Sequence, residues 1–278
     1  MLDLTYSKSV PILTRNSQQI NIWIIGTGGT GGWLVPNIAR LLKVLETSTN
    51  KKVSCTLVDP DVIEAKNIPR QNFIQSEIGC NKALVLAARY NLALGCNLTA
   101  IHKPFQRDLL DNYWRGLTLI IGGVDNAAAR YQISQCLEFN QNKEPNIWYL
   151  DCGNHAHSNS GQVLLGSTNK FELKNAFDNP ENPSFCINLP SPSLQHPELL
   201  KPQPEELSDT TLSCAEIALR NQQGLFVNQQ VAAIATEYAK ALLLTGGLRR
   251  FATYFNSDIG SMRSHYIWTN NLAQYNSK

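Results

Sequence analysis

The stretch Asn21-Ile22-Trp23-Ile24-Ile25-Gly26-Thr27-Gly28-Gly29-Thr30-Gly31-Gly32 decides how the rest of this chain is read. A β-branched, apolar run passes directly into five glycines within seven residues. Trp33-Leu34-Val35 then opens a helical pattern over 33–46, with Leu34, Ile38, Leu41, Leu42 and Leu45 on one stripe. A strand, a glycine turn and a helix in that order bring backbone N–H groups and a helix N-terminus onto a phosphate. The spacing Gly26-x-Gly28-x-x-Gly31 is shared by many dehydrogenases and flavoproteins, so by itself it selects no nucleotide.

Working outward, Val53 to Val58 reads as a second strand that ends at Asp59-Pro60-Asp61. The first two strands are then parallel, joined by a right-handed crossover. Asp59 fits the acidic residue that hydrogen-bonds a ribose hydroxyl, which suits NAD and ATP equally. A polar segment (64–81), a helix (82–94), a short strand (99–102), a buried strand (117–121) and a helix (127–139) follow. Further strands read at 148–151 and 162–166, a strong helix at 227–244, and a closing hairpin at 250–255 and 264–268. The alternation predicts an α/β, Rossmann-like doubly wound sheet, parallel in the N-terminal half with antiparallel strands toward the C-terminus. Between 179 and 209 lie seven of the 13 prolines, which predicts a long loop without regular structure inside a single domain spanning 1–278.

Composition narrows the class. With 43% hydrophobic and 17% charged residues the chain reads as an ordinary globular protein. A net charge of +2 gives no electrostatic support for nucleic acid or membrane binding. No basic segment precedes an apolar one near Met1, and no apolar run approaches about 18 residues, so a cytoplasmic location is expected. The seven cysteines include no Cys-x-x-Cys pair, so neither a zinc site nor a disulfide framework is suggested.

The charged residues beyond the glycines discriminate between nucleotides. Asp59-x-Asp61-x-x-Glu64-x-x-Asn67-x-x-Arg70-Gln71 is followed by Lys82 and then Asp125. An Arg and a Lys converging beyond the glycine loop have no obvious use in a nicotinamide enzyme. They suit attack at an α-phosphate, where charge accumulates on phosphoryl oxygens and on departing pyrophosphate: Arg bridges two oxygens in its planar fork, and Lys acts as a point charge. A carboxylate at a strand C-terminus, such as Asp125, can hold Mg²⁺.

This combination resembles the ThiF/MoeB/ubiquitin-activating adenylyltransferase superfamily, and within it the ThiF-family proteins of bacterial PRTRC gene clusters. Val58-Asp59-Pro60-Asp61, Asn67 to Phe73, Asp125-Asn126-Ala-Ala-Ala-Arg130, Leu150 to Asn154, Ser193 to Leu199 and Arg249 to Phe255 carry the likeness. The resemblance implies that ATP and Mg²⁺ activate the C-terminal carboxylate of a small ubiquitin-like, β-grasp protein as an acyl-adenylate. Gly26, Gly28, Gly29 and Gly31 would cradle the phosphates, with Asp59 at the ribose and Asp61 beside it. Asn67, Arg70 and Lys82 would contact the triphosphate with Gln71 alongside, and Asp125 would hold magnesium. A homodimer is implied, and PRTRC clusters add a ubiquitin-conjugating-like protein and a JAB-type peptidase as candidate partners.

The chain departs from many relatives in lacking two Cys-x-x-Cys zinc pairs. Only Arg15 precedes the first strand, where many relatives place a helix whose Arg reaches the partner subunit's ATP. Cys214, just before the long helix, and Cys186, in the Pro-rich segment, qualify as thioester nucleophiles, and Cys214 matches the position used by several relatives better. Two other readings stay open: an NAD-dependent Rossmann oxidoreductase, and a scaffold that binds ATP without turnover.

Overall fold

A computed structural model describes residues 5–110, 116–140, 144–155, 159–170, 176–179, 181–202 and 214–275, with 214–225 described by their helical backbone alone. Eight strands form one sheet in the order β3-β2-β1-β4-β5-β6-β7-β8. They are β1 (Gln19–Ile25), β2 (Lys52–Val58), β3 (Leu98–Ile101), β4 (Leu117–Gly122), β5 (Ile147–His155), β6 (Ser160–Gly166), β7 (Arg250–Asn256) and β8 (Ser261–Tyr266). The first five pair in parallel and the last three add antiparallel. The doubly wound, Rossmann-like expectation is met.

β1 is covered on both faces, which is why its second half, Ile22 to Ile25, reads as an unbroken apolar run. Ile20, Ile22 and Ile24 enter the larger core, and Trp23 and Ile25 the smaller one on the opposite face. Helices α1 (Gly29–Ser48) and α2 (Lys82–Leu94) contribute buried side chains to the larger core, as does α5 (Cys214–Lys240) through Val227, Val231, Ala235 and Tyr238. Ile133 of α3 (Ala127–Gln135) packs in the smaller core. The chain runs from β1 out to β3 and returns to β4 on the other side of β1. That reversal leaves a crevice at the carboxyl ends of β1 and β4, the place where open α/β sheets bind ligands.

Several boundaries differ from the sequence reading. Helix α1 begins at Gly29 rather than Trp33, so most of the glycine run lies in its first turn. The long helix α5 starts at Cys214 rather than 227 and ends in a π-helical turn over Ala241–Thr245. Within 179–209, residues 181–202 are partly regular, with a short helix α4 (Pro192–Gln195) and a 3₁₀ turn (Pro197–Leu200), while 203–209 lie outside the described residues. This segment is strapped down: Gln195 Nε2 donates to the carbonyls of Leu165 and Pro190, and His196 Nε2 lies 2.7 Å from the Tyr254 hydroxyl of β7. No helix among the described residues is long and apolar enough to cross a membrane.

Candidate functional site

The site is built on two glycines that only glycine can occupy. Gly26 has φ +81°, and a Cβ there would lie 2.8 Å from the Gly123 carbonyl oxygen that follows β4. A Cβ on Gly31 would lie 1.9 Å from the Gly26 carbonyl oxygen, inside any van der Waals contact. The turn therefore folds back onto itself and onto the end of β4. Gly28 precedes α1 with no side-chain cap, so the first N–H groups of the helix have no side-chain acceptor there. The Gln71 amide sits 3.5 Å from a Cβ position on Gly28, and its Oε1 is buried without a hydrogen-bond partner. The uncapped helix start offers N–H donors to a phosphate, while the unpartnered Gln71 Oε1 is an acceptor suited to a hydroxyl or amino donor of a ligand.

Asp59 follows β2 and reaches under this turn. Its Oδ2 accepts from the Thr27 N–H at 2.6 Å and the Thr27 hydroxyl at 3.1 Å, while Oδ1 accepts from the Asp61 N–H at 2.9 Å. Burial raises its pKa above the ordinary value, partly opposed by those N–H bonds. Asp59 thus holds the glycine turn. Asp61 points the other way, with Oδ2 2.9 Å from Nζ of the buried Lys82. Asn81 organises that pairing. It caps α2 through the Leu84 N–H, and its Nδ2 donates to the carbonyls of Asp59 and Asp61.

The segment between Asp61 and Lys82 carries Asn67, Arg70 and Gln71. Asn67 is buried and spends its Oδ1 on the Glu64 N–H, and its carbonyl accepts from the N–H groups of Arg70 and Gln71. Its role in this structure is to shape the turn that delivers Arg70 and Gln71. Trp33 Nε1 donates to the Arg70 carbonyl, which fixes that turn beside α1.

Asp125 is exposed beyond the end of β4, across the Gly26–Gly123 contact from the glycine turn. Its backbone is held on both sides. Asn126 caps α3 through the Ala129 N–H, and Arg130 Nη2 donates to the Val124 carbonyl at 2.8 Å. Arg130 Nε in turn donates to the fully buried Asp151, which also accepts from the Tyr149 hydroxyl at 2.6 Å.

The structure therefore gathers Gly26, Gly28, Gly29, Gly31, Asp59, Asp61, Asn67, Gln71 and Lys82 around one crevice, with the Arg70 backbone in the same turn and Asp125 at its edge. It does not gather Cys186. Cys186 is fully buried, donates to the Asn188 carbonyl, and is pushed by burial up to about 12. Such a thiol is no nucleophile near neutral pH. The side chain of Cys214 lies outside the described residues. Its helix meets the site fourteen residues later, where Asn228 packs against Gly29 and its Oδ1 accepts from Thr30 and Asn154. Helical rise separates the two positions by about 21 Å. Arg15 donates to Asn146 of its own chain, beside the start of β5 and away from the crevice. Among the described residues no group of three His, Cys, Asp or Glu could hold a metal.

The site also rests on Asn81, Arg130, Asp151 and Asn228, which the sequence does not mark as site residues. Asn81 is detectable as a cap before a helix. Asn228 is not, because its contact spans about 200 residues of chain and no local pattern encodes it.

The ThiF family model matches residues 13–172, more than half of the chain. The chain belongs to the ThiF family. Among curated relatives, this ThiF-family chain is 31% identical over 134 residues to the NEDD8-activating enzyme E1 catalytic subunit of Dictyostelium discoideum, a match covering 47% of this chain and 28% of that protein. It is 28% identical over 134 residues to ubiquitin-activating enzyme E1 2 of Arabidopsis thaliana, covering 46% of this chain and 12% of the relative. It thus spans under a third of the length of these relatives. Among solved structures, PaaA aligns with a TM-score of 0.55 at 14% identity, over 90% of this chain and 64% of that one. E. coli MccB with AMPCPP and MccA aligns at 0.54 and 16% identity, over 91% and 64%. These two likenesses concern the fold.

Proposed function

We propose that this ThiF-family protein uses ATP and Mg²⁺ to adenylate the C-terminal carboxylate of a small ubiquitin-like, β-grasp protein. The observation that carries the reading is the glycine turn facing a single segment, Asp59 to Lys82, that supplies Asn67, Arg70, Gln71 and a buried lysine. The family membership and the ubiquitin-like activating relatives support it, as does the MccB neighbour, which was solved with AMPCPP.

In this mechanism the N–H groups at the uncapped start of α1 and Gln71 Nε2 donate to phosphate oxygens, and Arg70 and Lys82 balance the charge that builds on departing pyrophosphate. Asp61 holds Lys82 in place until a phosphate competes for it. Asp59 keeps Thr27 and the turn fixed and is available to the ribose. The exposed Asp125 carboxylate is a hard oxygen donor of the type Mg²⁺ takes together with substrate phosphates, and bound Mg²⁺ would neutralise phosphoryl charge. The substrate carboxylate oxygen bonds to the α-phosphorus as the bond to pyrophosphate breaks. Transfer of the acyl group to Cys214, a homodimeric assembly, a ubiquitin-conjugating-like acceptor and a cytoplasmic location belong to the same proposal.

ATP–pyrophosphate exchange with a candidate β-grasp protein tests it. Exchange that needs the substrate's intact C-terminus and is lost in Asp125→Ala supports the reading. Tight ATP binding without exchange would leave a scaffold, and heat protection by NAD but not ATP would leave an oxidoreductase.

A further inference from the structure

Helix α1 contains a proline at its eighth residue, Pro36. A helical residue normally donates its N–H to the carbonyl four residues earlier, and proline has no N–H to donate. Its ring also crowds that carbonyl and tilts it outward. The carbonyl concerned is that of Gly32, the last glycine of the run. It does not go unused, because Asn72 Nδ2 donates to the Gly32 oxygen at 2.9 Å from outside the helix.

Asn72 follows Arg70 and Gln71 by two residues and one. The same Nδ2 lies 3.0 Å from the Tyr90 hydroxyl of α2, and Arg89 Nη1 donates to the Asn72 carbonyl at 2.9 Å. Arg89 is itself held by Glu77, with Nη2 2.6 Å from Oε1. With Trp33 Nε1 on the Arg70 carbonyl, the Arg70–Asn72 turn is fastened to α1 at two points and to α2 at two more. The contact to Gly32 is the one that depends on a missing helical bond.

We infer that Pro36 and Asn72 form a latch in which the proline exposes the Gly32 carbonyl so that Asn72 can dock on it, setting Arg70 and Gln71 over the glycine turn. Both are positioning residues that act through Arg70 and Gln71. An alanine at 36 would supply the missing N–H, turn the Gly32 carbonyl back into the helix and compete with Asn72 for it. The same change removes a residue that weakens helix interiors. Stability and positioning therefore move in opposite directions, which a purely structural role for Pro36 does not produce.

The catalytic arm of the test rests on the adenylation reading, while the structural arm does not. In the ligand-free protein, hydrogen exchange is measured over 67–77 for wild type, Pro36→Ala, Asn72→Ala and the double variant. Each single change should speed exchange there roughly threefold to tenfold, as loss of one hydrogen bond would, with β1 and β4 unaffected. Pro36→Ala should keep or raise the thermal midpoint. In ATP–pyrophosphate exchange each single variant should raise KM for ATP severalfold, and the double variant should do no worse than the poorer single one, because both remove the same Gly32–Asn72 contact. Unchanged hydrogen exchange in Pro36→Ala overturns the latch. Faster exchange with an unchanged KM, or effects that multiply in the double variant, overturns the positioning role. A wild-type protein with no ATP-dependent exchange removes the adenylation reading, and the hydrogen-exchange arm still decides the latch.

Discussion

The backbone N–H of Thr27 donates to Oδ2 of Asp59 at 2.6 Å, joining the glycine turn to the end of the neighbouring strand. The carboxylate is buried, and burial is the largest influence on it, raising its pKa from the ordinary 3.8. A carboxyl whose pKa is higher folded than unfolded stabilises most when protonated, and that contribution fades as pH rises through the folded value. In Asp59→Asn the titration is absent. The stability of wild type relative to this variant should therefore fall as pH is raised from about 4 toward neutrality. Urea midpoints of both proteins across that range check it, and a difference that grows with pH contradicts the assignment.

Gly31 and Gly79 offer a paired test of why the glycines are there. A Cβ on Gly31 meets the Gly26 carbonyl at 1.9 Å, whereas Gly79, at φ +87°, has nothing within 4 Å. Gly31→Ala should cost about 3 kcal/mol through overpacking, and it should displace the turn. Gly79→Ala should cost only the left-handed backbone penalty, about 1–2 kcal/mol. Chemical denaturation of the two variants ranks them, and equal losses would remove the close-approach argument for Gly31.

Lys82 pairs with Asp61, whose side chain is 64% exposed, so the pair itself adds little to stability. Lys82→Ala should lower ATP–pyrophosphate exchange by about a hundredfold or more, in line with loss of one preorganised charge at a developing anion. Its thermal midpoint should move little. Steady-state exchange and calorimetry together separate the two effects. A variant that unfolds early but retains wild-type exchange would reverse the assignment of this lysine.

Thiol reactivity should follow burial. Cys80 is exposed, while Cys152 and Cys186 are buried with thiols pushed well up. Brief treatment of the native protein with a maleimide, read by peptide mass, should label Cys80 and leave Cys152 and Cys186 untouched. In the presence of ATP and a β-grasp substrate, Cys214→Ala should keep exchange and lose any reducible adduct, and Cys186→Ala should keep both. An adduct mapped to Cys186 would contradict the geometry.

Some of this architecture is legible because its causes are local. Helix α2 runs over Lys82–Leu94 as read from the sequence, since Asn81 caps its start and Gly95, at φ +62°, ends it. The closing hairpin is found, but β8 sits about three residues earlier than expected. Its Ser-Met-Arg-Ser-His-Tyr sequence lies on an edge, largely exposed, and carries no clear alternation. The start of α1 departs from the sequence reading for a different reason. Glycine is a poor helix former, so the run reads as a turn, yet the approach of Gly31 to Gly26 requires the helix to begin inside it.

The strand, the glycine turn, the helix stripes and the acidic residues after β2 and β4 follow from neighbouring residues, because hydrophobic period and backbone sterics act within a few positions. Tertiary packing set the rest. Asp59 holds Thr27 across a full crossover, Lys82 faces Asp61, Asn228 seals Gly29 from a helix near the far end of the chain, and Asn72 takes the carbonyl that Pro36 leaves open. Those contacts join residues up to about 200 positions apart. A hydrogen bond between distant side chains depends on where the sheet brings its elements, and no local pattern in the chain records that.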